Sequence, residues 1–264
     1  MVVLCSCTLA YYPSKHTPKE FGQSRHAGDE IAWHLYLPGM ALYNLIMREL
    51  DRVRVGQALA SLRSSKHHVF GAEAHGFDLN PVLNEAVVTT FERAHGVRLP
   101  SDYRAFLTTV GNGGAGTFHG IFPLGKVDDG FALRDWTEGD IGVLSKAFPF
   151  NEEWNDLSTN PGDDLVDLDE VEYWKQMETF ERSYWSVALV NGAFPICHQG
   201  CALRILLVVT GDQGGNLWDD RRSEYGGIKP IRLADGSKAT FADWYREWLE
   251  GALNTPGPPV SASP

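Results

Sequence analysis

The chain has 264 residues, 43% of them hydrophobic, and 34 acidic against 23 basic side chains give it a net charge of −11. Thirteen Phe, nine Tyr and eight Trp exclude a disordered chain, and the length accommodates one large or two ordinary domains. Cys5, Cys7, Cys197 and Cys201 are too sparse and too oddly spaced for a secreted disulfide framework, which suits a reducing compartment.

Residues 1–46 mix Pro, His, Gly and Ser without sustained periodicity. They read as a poorly ordered extension, or as a mis-started one, because Met40 and Met47 each precede a helix-like run. The opening MVVLCSCTLAYYP lacks a basic n-region and is too short to span a bilayer; the longest later apolar run, 205–209, has the length of a buried strand. The expectation is a cytoplasmic protein with no membrane attachment. Across residues 42–62, Leu45, Ile46, Leu50, Val53, Leu59 and Leu62 predict an amphipathic helix weakened at Gly56. A polar loop through His67, His68 and His75 follows. Asn80 and Pro81 then read as the cap and first residue of a second helix, with Leu83, Val87, Phe91 and Ala94 on one side and Gly96 as its stop.

Leu99-Pro100 forces an extended step before a third helix, with Ser101 as its cap. Tyr103, Phe106, Leu107 and Val110 fall at i, i+3, i+4 and i+7, one apolar stripe. The run 111–116, GNGGAG, matches the dinucleotide fingerprint GxGxxG in letters only. That fingerprint needs a strand before the glycines and a helix after them, whereas here a helix precedes them and a strand is expected over 117–124. Asn112-Gly113-Gly114 is read as a turn, with Asn112 bonding to its own backbone, in preference to a ligand-presenting loop.

Between residues 128 and 181 stand 16 acidic side chains against Arg134, Lys146 and Lys175, a local net of −13 that leaves the rest of the chain near neutral. Asp163, Asp164, Asp167, Asp169 and Glu170 surround Leu165 and Leu168 at the start of what reads as an acidic helix, where carboxylates also suit the macrodipole. A field of this strength steers basic partners and repels nucleic acid, and Trp136, Trp154 and Trp174 interleave with it, so Trp154, Trp174 and these acids form the candidate partner surface. The bland alternative is a solvated helix that keeps the protein soluble.

Short strands are expected over 187–190, 194–197, 203–209, 216–218 and 228–233, with Asn191-Gly192 as a hairpin turn between the first two. Thr240 with Asp243 makes a capping box for a last helix burying Phe241, Trp244, Tyr245, Trp248 and Leu249. Residues 254–264 read as a disordered Pro-rich tail.

Several short blocks together carry a family resemblance. Phe91-Glu92 stands before a glycine, Leu99-Pro100 opens a helix through Tyr103, and Asn112-Gly113-Gly114 is followed by Gly120 and Pro123-Leu124. Downstream come Gly200-Cys201, a strand and turn ending at Gly211, Trp218-Asp219, and Phe241 with Trp244 and Trp248. Taken in order over roughly residues 83–253, these resemble the SUKH superfamily of Smi/Knr-type cell-wall regulators and bacterial toxin-immunity proteins. The resemblance implies an α+β fold, a single mixed, mainly antiparallel sheet with helices around it, as one domain over 47–253. It implies a non-catalytic protein-binding module without cofactor or metal, in first place an immunity protein binding a basic toxin. The alternative is an intracellular scaffold or regulator of the cell-wall type.

The residues offer little chemistry against that reading. Cys197, His198 and Cys201 lack the paired Cys-x2-Cys spacing of zinc ribbons and read as buried cysteines at a strand end; His67, His68, His75, His95, His119 and His198 form no HExxH pair. Asp219-Asp220 beside Trp218 is drawn either as a hydrolytic carboxylate pair or, preferably, as a turn paired with Arg221 and Arg222.

Overall fold

The computed structural model describes residues 50–65, 69–128, 133–135 and 141–254. The extension 1–46, Cys5, Cys7, Met40, Met47, His67, His68, Trp136 and all but the first residue of the expected tail lie outside them.

Helix α1 (Arg52–Ser65) starts where the Asp51 carboxylate accepts the N–H groups of Val53 (2.9 Å) and Arg54 (3.1 Å), so the expected 42–62 helix does not run unbroken through Leu50. Its buried face is Val55, Leu59 and Leu62, with Val53 in solvent. Val53 lies six residues before Leu59, about 240° around the helix, so it cannot share that face. Helix α2 (Ala72–His75) is a single turn between Gly71 and Gly76. Helix α3 (Glu85–His95) is capped by Asn84, whose side chain accepts the Ala86 N–H at 2.7 Å. The expected cap at Asn80 is displaced because its groups are used elsewhere: its N–H goes to Gly113 O and its amide to Asn112 O, both at 3.0 Å. Gly96 ends α3 at φ 65°, as its sequence position predicts, while Val88 rather than Val87 is buried.

Helix α4 (Ser101–Ala105) continues into one wider turn (Phe106–Val110), closed by Gly111 N–H to Phe106 O at 2.9 Å. Ser101 is its first residue rather than its cap, the cap position being Pro100; the Asp102 carboxylate in the first turn accepts the Tyr103 N–H (2.8 Å) and the Ala242 N–H (2.9 Å). Tyr103, Phe106, Leu107 and Val110 are all buried, as their spacing predicts. Gly113 (φ 76°) and Gly114 (φ 98°) then fold the chain back under residues 78–80. A Cβ on Gly113 would stand 2.5 Å from Ile121 O, and one on Gly114 2.4 Å from Asp78 O. Asn112 does not bond to its own backbone; its side chain accepts the Leu124 N–H at 2.8 Å, twelve residues on. The strand expected over 117–124 reduces to isolated bridges, Gly114 with Ile121 and Ile121 with Cys197, because Phe118 (φ 52°) and Gly120 (φ 97°) turn the chain between them. Strands β1 (Lys126–Asp128) and β2 (Leu133–Asp135) form a small antiparallel pair.

Helices α5 (Asp164–Leu168) and α6 (Glu170–Tyr184) lead to a single 3-10 turn (Val187–Val190), where a strand is expected from the sequence. Asn191-Gly192 is no hairpin. A Cβ on Gly192 would lie 2.5 Å from Lys146 O, and Asn191 Oδ1 accepts the Val143 N–H at 2.8 Å, so the pair docks the 143–148 segment. Strands β3 (Ala193–Gly200), β4 (Leu203–Val208), β5 (Leu217–Asp220) and β6 (Ile228–Pro230) make one sheet in sequence order, every pair antiparallel. The fold is α+β, one sheet with helices around it. The real hairpin turn is Cys201-Ala202, both at positive φ (48° and 62°).

Side-chain alternation divides the sheet between two cores. Phe194, Ile196, Ile205, Leu207 and Leu217 pack with α1, α4 and helix α7 (Phe241–Asn254). Leu206, Val208, Trp218 and Ile228 pack with Phe148 and Val190 on the opposite side. Helix α7 opens on the Thr240–Asp243 box, Thr240 Oγ1 donating to Asp243 at 2.8 Å, and buries Phe241, Trp244, Tyr245 and Leu249, with Trp248 partly buried against the same core.

Candidate functional site

Residues 148–154 of the acidic segment line the second face of the sheet, and the aromatic residues there and on α6 divide by what they touch. A continuous run of rings leads outward from the sheet: Trp218 to Phe148 (4.8 Å), Phe148 to Phe150 (5.6 Å), Phe150 to Trp154 (5.3 Å), Trp154 to Tyr184 (5.4 Å) and Tyr184 to Phe180 (5.0 Å). Trp154 is part of this run, and its backbone exchanges two hydrogen bonds with Ile228. It therefore supports α6 from below. Trp174 is 57% exposed on the flank of the helix, its ring edge-on to Tyr173 (5.1 Å) and its indole N–H directed at Glu170 Oε1 (3.4 Å).

The acids likewise separate. Asp169 has a structural task as the cap of α6, its Oδ1 accepting the Glu172 N–H at 3.0 Å. Asp163, Asp164, Asp167 and Glu170 are exposed on the first turns of α5 and α6, where they also suit the helix dipoles. Leu168 and Val171 escape the sequence reading, since apolar residues in a helical stretch read as core, yet they are 82% and 81% exposed. Helical phase is the signal that finds Val171: it lies about 140° around α6 from Tyr184 and about 180° from Phe180, the two fully buried positions.

A buried ion pair fixes the far end of α6. Arg222 meets Asp220 through Nε (2.9 Å) and NH2 (2.7 Å), and its NH1 donates to Tyr184 O (3.3 Å) and Ser186 O (3.4 Å), the carbonyls at the helix C-terminus. Its guanidinium also lies over the Trp185 ring. Asp219, one residue along β5, faces the other way, accepting from Gln199 Nε2 (2.6 Å) and pairing with Arg221 (3.4 Å). Burial raises the Asp219 pKa, with Gln199 and Arg221 opposing that rise. The two carboxylates stand on opposite faces of a strand, each held by its own partners, so they do not form an acid–base dyad.

Cys197 is buried, with Sγ 3.4 Å from Thr117 O, and burial pushes its thiol pKa far up; Cys201 is exposed in the hairpin turn, where a buried position is expected from the sequence. Among the described residues no group of three or more His, Cys, Asp or Glu side chains could hold a metal ion, and no helix is long and apolar enough to cross a membrane. Of the residues that carry the family resemblance, Leu99, Tyr103 and Trp218 are buried, Asn112 accepts the Leu124 N–H, Gly113, Gly114, Gly120 (φ 97°), Gly200 (φ 103°) and Gly211 (φ 105°) stand at positive φ, and Pro100 immediately precedes α4.

The described residues thus form an α+β scaffold that carries an exposed acidic helical stretch. A model of the SMI1 / KNR4 family (SUKH-1) matches residues 83–230, more than half of the 264-residue chain, and the chain belongs to that family. The match starts at Leu83, as expected, and ends before α7, so Phe241, Trp244 and Trp248 lie outside it although they pack on the same core. Membership supports an immunity or cell-wall-regulator type of module, acting through protein–protein contact. No curated protein and no solved structure matches the chain.

Proposed function

We propose that this chain is a non-catalytic immunity protein of the cytoplasm that neutralises a cognate basic toxin by covering its active surface. The observation that carries the reading is the exposed, acid-rich surface of α5 and the first turns of α6, with Asp163, Asp164, Asp167 and Glu170 around the outward-facing Trp174. Exposed charges act mainly on the rate of encounter, and a desolvated Trp acts mainly on residence, so the two parts have separable tasks. Trp154 takes part by holding α6 in place, and Asp169 by capping it. Family membership supports the protein-binding part of this reading, and the charge of the segment supports a basic partner over a nucleic acid. The test is co-expression with the product of the adjacent gene, expected to be a toxin. Restored growth and co-purification of the two proteins are expected; unchanged killing without a complex overturns the reading.

A further inference from the structure

Between Leu157 and Trp174 five large apolar side chains stand in solvent: Leu157, Val166, Leu168, Val171 and Trp174. They are five of the twelve exposed large apolar residues among the described residues, gathered into 18 positions. Those same positions hold Asp163, Asp164, Asp167, Asp169, Glu170 and Glu172, and no Lys or Arg. A surface helix normally turns its apolar side inward, and α6 does so with Phe180 and Tyr184, half-buried Tyr173 and Met177 falling at the same helical spacing. Val171 and Trp174 are thus apolar positions surplus to the core of this chain, and Leu168 joins them at the end of α5.

We propose that Leu168, Val171 and Trp174 form an apolar ridge on which a basic amphipathic helix of the partner docks, its Lys and Arg side chains reaching the flanking carboxylates. The proposal rests on the basic-partner reading above and adds that apolar contact, more than charge, sets how long the complex lasts. Charge selects the occupant. A second copy of this chain would bring two sets of six carboxylates together, and anionic lipid or nucleic acid carries the same sign as the surface. Residues 1–49 balance four basic against four acidic side chains and offer no complementary charge.

The test titrates the full chain, by fluorescence anisotropy at about 0.15 M salt, into three labelled peptides of one length: an amphipathic Lys/Leu peptide, oligolysine, and an amphipathic Glu/Leu peptide. The Lys/Leu peptide is expected to bind at least about tenfold more tightly than oligolysine. The triple variant L168S/V171S/W174S should abolish that difference while leaving oligolysine binding and the circular dichroism spectrum unchanged. Equal affinity for the two basic peptides, or a difference that survives in the triple variant, overturns the ridge and leaves the basic-partner reading standing. A Glu/Leu peptide bound as tightly as the Lys/Leu peptide overturns both. Sedimentation showing a dimer that the triple variant dissociates assigns the ridge to a second copy and overturns the proposal.

Discussion

Tyr103 and Tyr245 lie in the same aromatic cluster, both buried, and both with phenol pKa values pushed far up by desolvation, yet their hydroxyls differ. Tyr245 donates to Ala115 O at 3.0 Å, whereas the Tyr103 hydroxyl has no partner among the described residues. A buried polar group without a partner costs about 1–3 kcal/mol, and a satisfied one contributes about 1 kcal/mol net. Tyr103→Phe is therefore expected to leave stability unchanged or raise it by about 1 kcal/mol, and Tyr245→Phe to lower it by about as much. Urea denaturation midpoints of the two variants check this, and loss of stability in Tyr103→Phe would reveal a partner for that hydroxyl. At the glycine turn, Gly113→Val combines positive φ with a Cβ 2.5 Å from a backbone carbonyl, so destabilisation by roughly 1–3 kcal/mol or more is expected. A wild-type midpoint in that variant would contradict the turn geometry. His75 contributes a pH dependence: burial lowers its pKa below the ordinary 6.5, and its Nδ1 accepts the Phe77 N–H at 3.0 Å, so the native state holds it neutral. As pH falls, the unfolded chain takes up the proton first. The contribution of His75 is then complete above about pH 6.5 and lost as pH falls through the lowered native value. Stability measured from pH 7 to 5 should fall less steeply in His75→Gln than in the wild type.

The elements that the sequence predicts well are those specified by their own residues. The stripe Tyr103, Phe106, Leu107 and Val110, the Gly96 stop and the Thr240–Asp243 box each depend on local spacing or capping, and each forms as its sequence predicts. Elements set by distant partners were not legible. Val187–Val190 has strand-like composition but is a 3-10 turn with Ser186 as its cap, and Asn191-Gly192 is a hairpin signal whose glycine is needed for close approach of Lys146 instead. The Cys201-Ala202 turn carries no glycine at the positions that usually ask for one. On the candidate surface the acids and Trp174 were visible as composition; that Trp154 faces inward depends on Phe150 and Tyr184, which no local pattern announces. The docking of α6 depends most on Arg222. Arg222→Ala would leave Asp220 buried without its cation and free the carbonyls of Tyr184 and Ser186, so a loss of about 3–5 kcal/mol is expected. Arg222→Met combined with Asp220→Leu removes both charges and should cost less than Arg222→Ala alone; a larger loss in the double variant would contradict the account of the pair.

At the scale of the whole molecule, one sheet separates two functions of the apolar residues. The core toward α1, α4 and α7 makes the domain, and the smaller core, with Phe148, Phe150 and Trp154, leads through Tyr184 to the acidic helix α6. Under the proposed function, the −13 segment on an otherwise near-neutral chain is what would orient a basic partner before contact. The most direct measurement is the association rate of the purified chain with the product of the gene adjacent to its own, followed by stopped-flow fluorescence across a range of salt. The account predicts rapid association at low salt that slows as salt rises. Asp163, Asp164 and Asp167 changed together to Asn should slow and flatten that dependence, while Trp174→Ala leaves association intact and speeds dissociation by about tenfold or more. An association rate indifferent to both salt and the triple Asn substitution would contradict it.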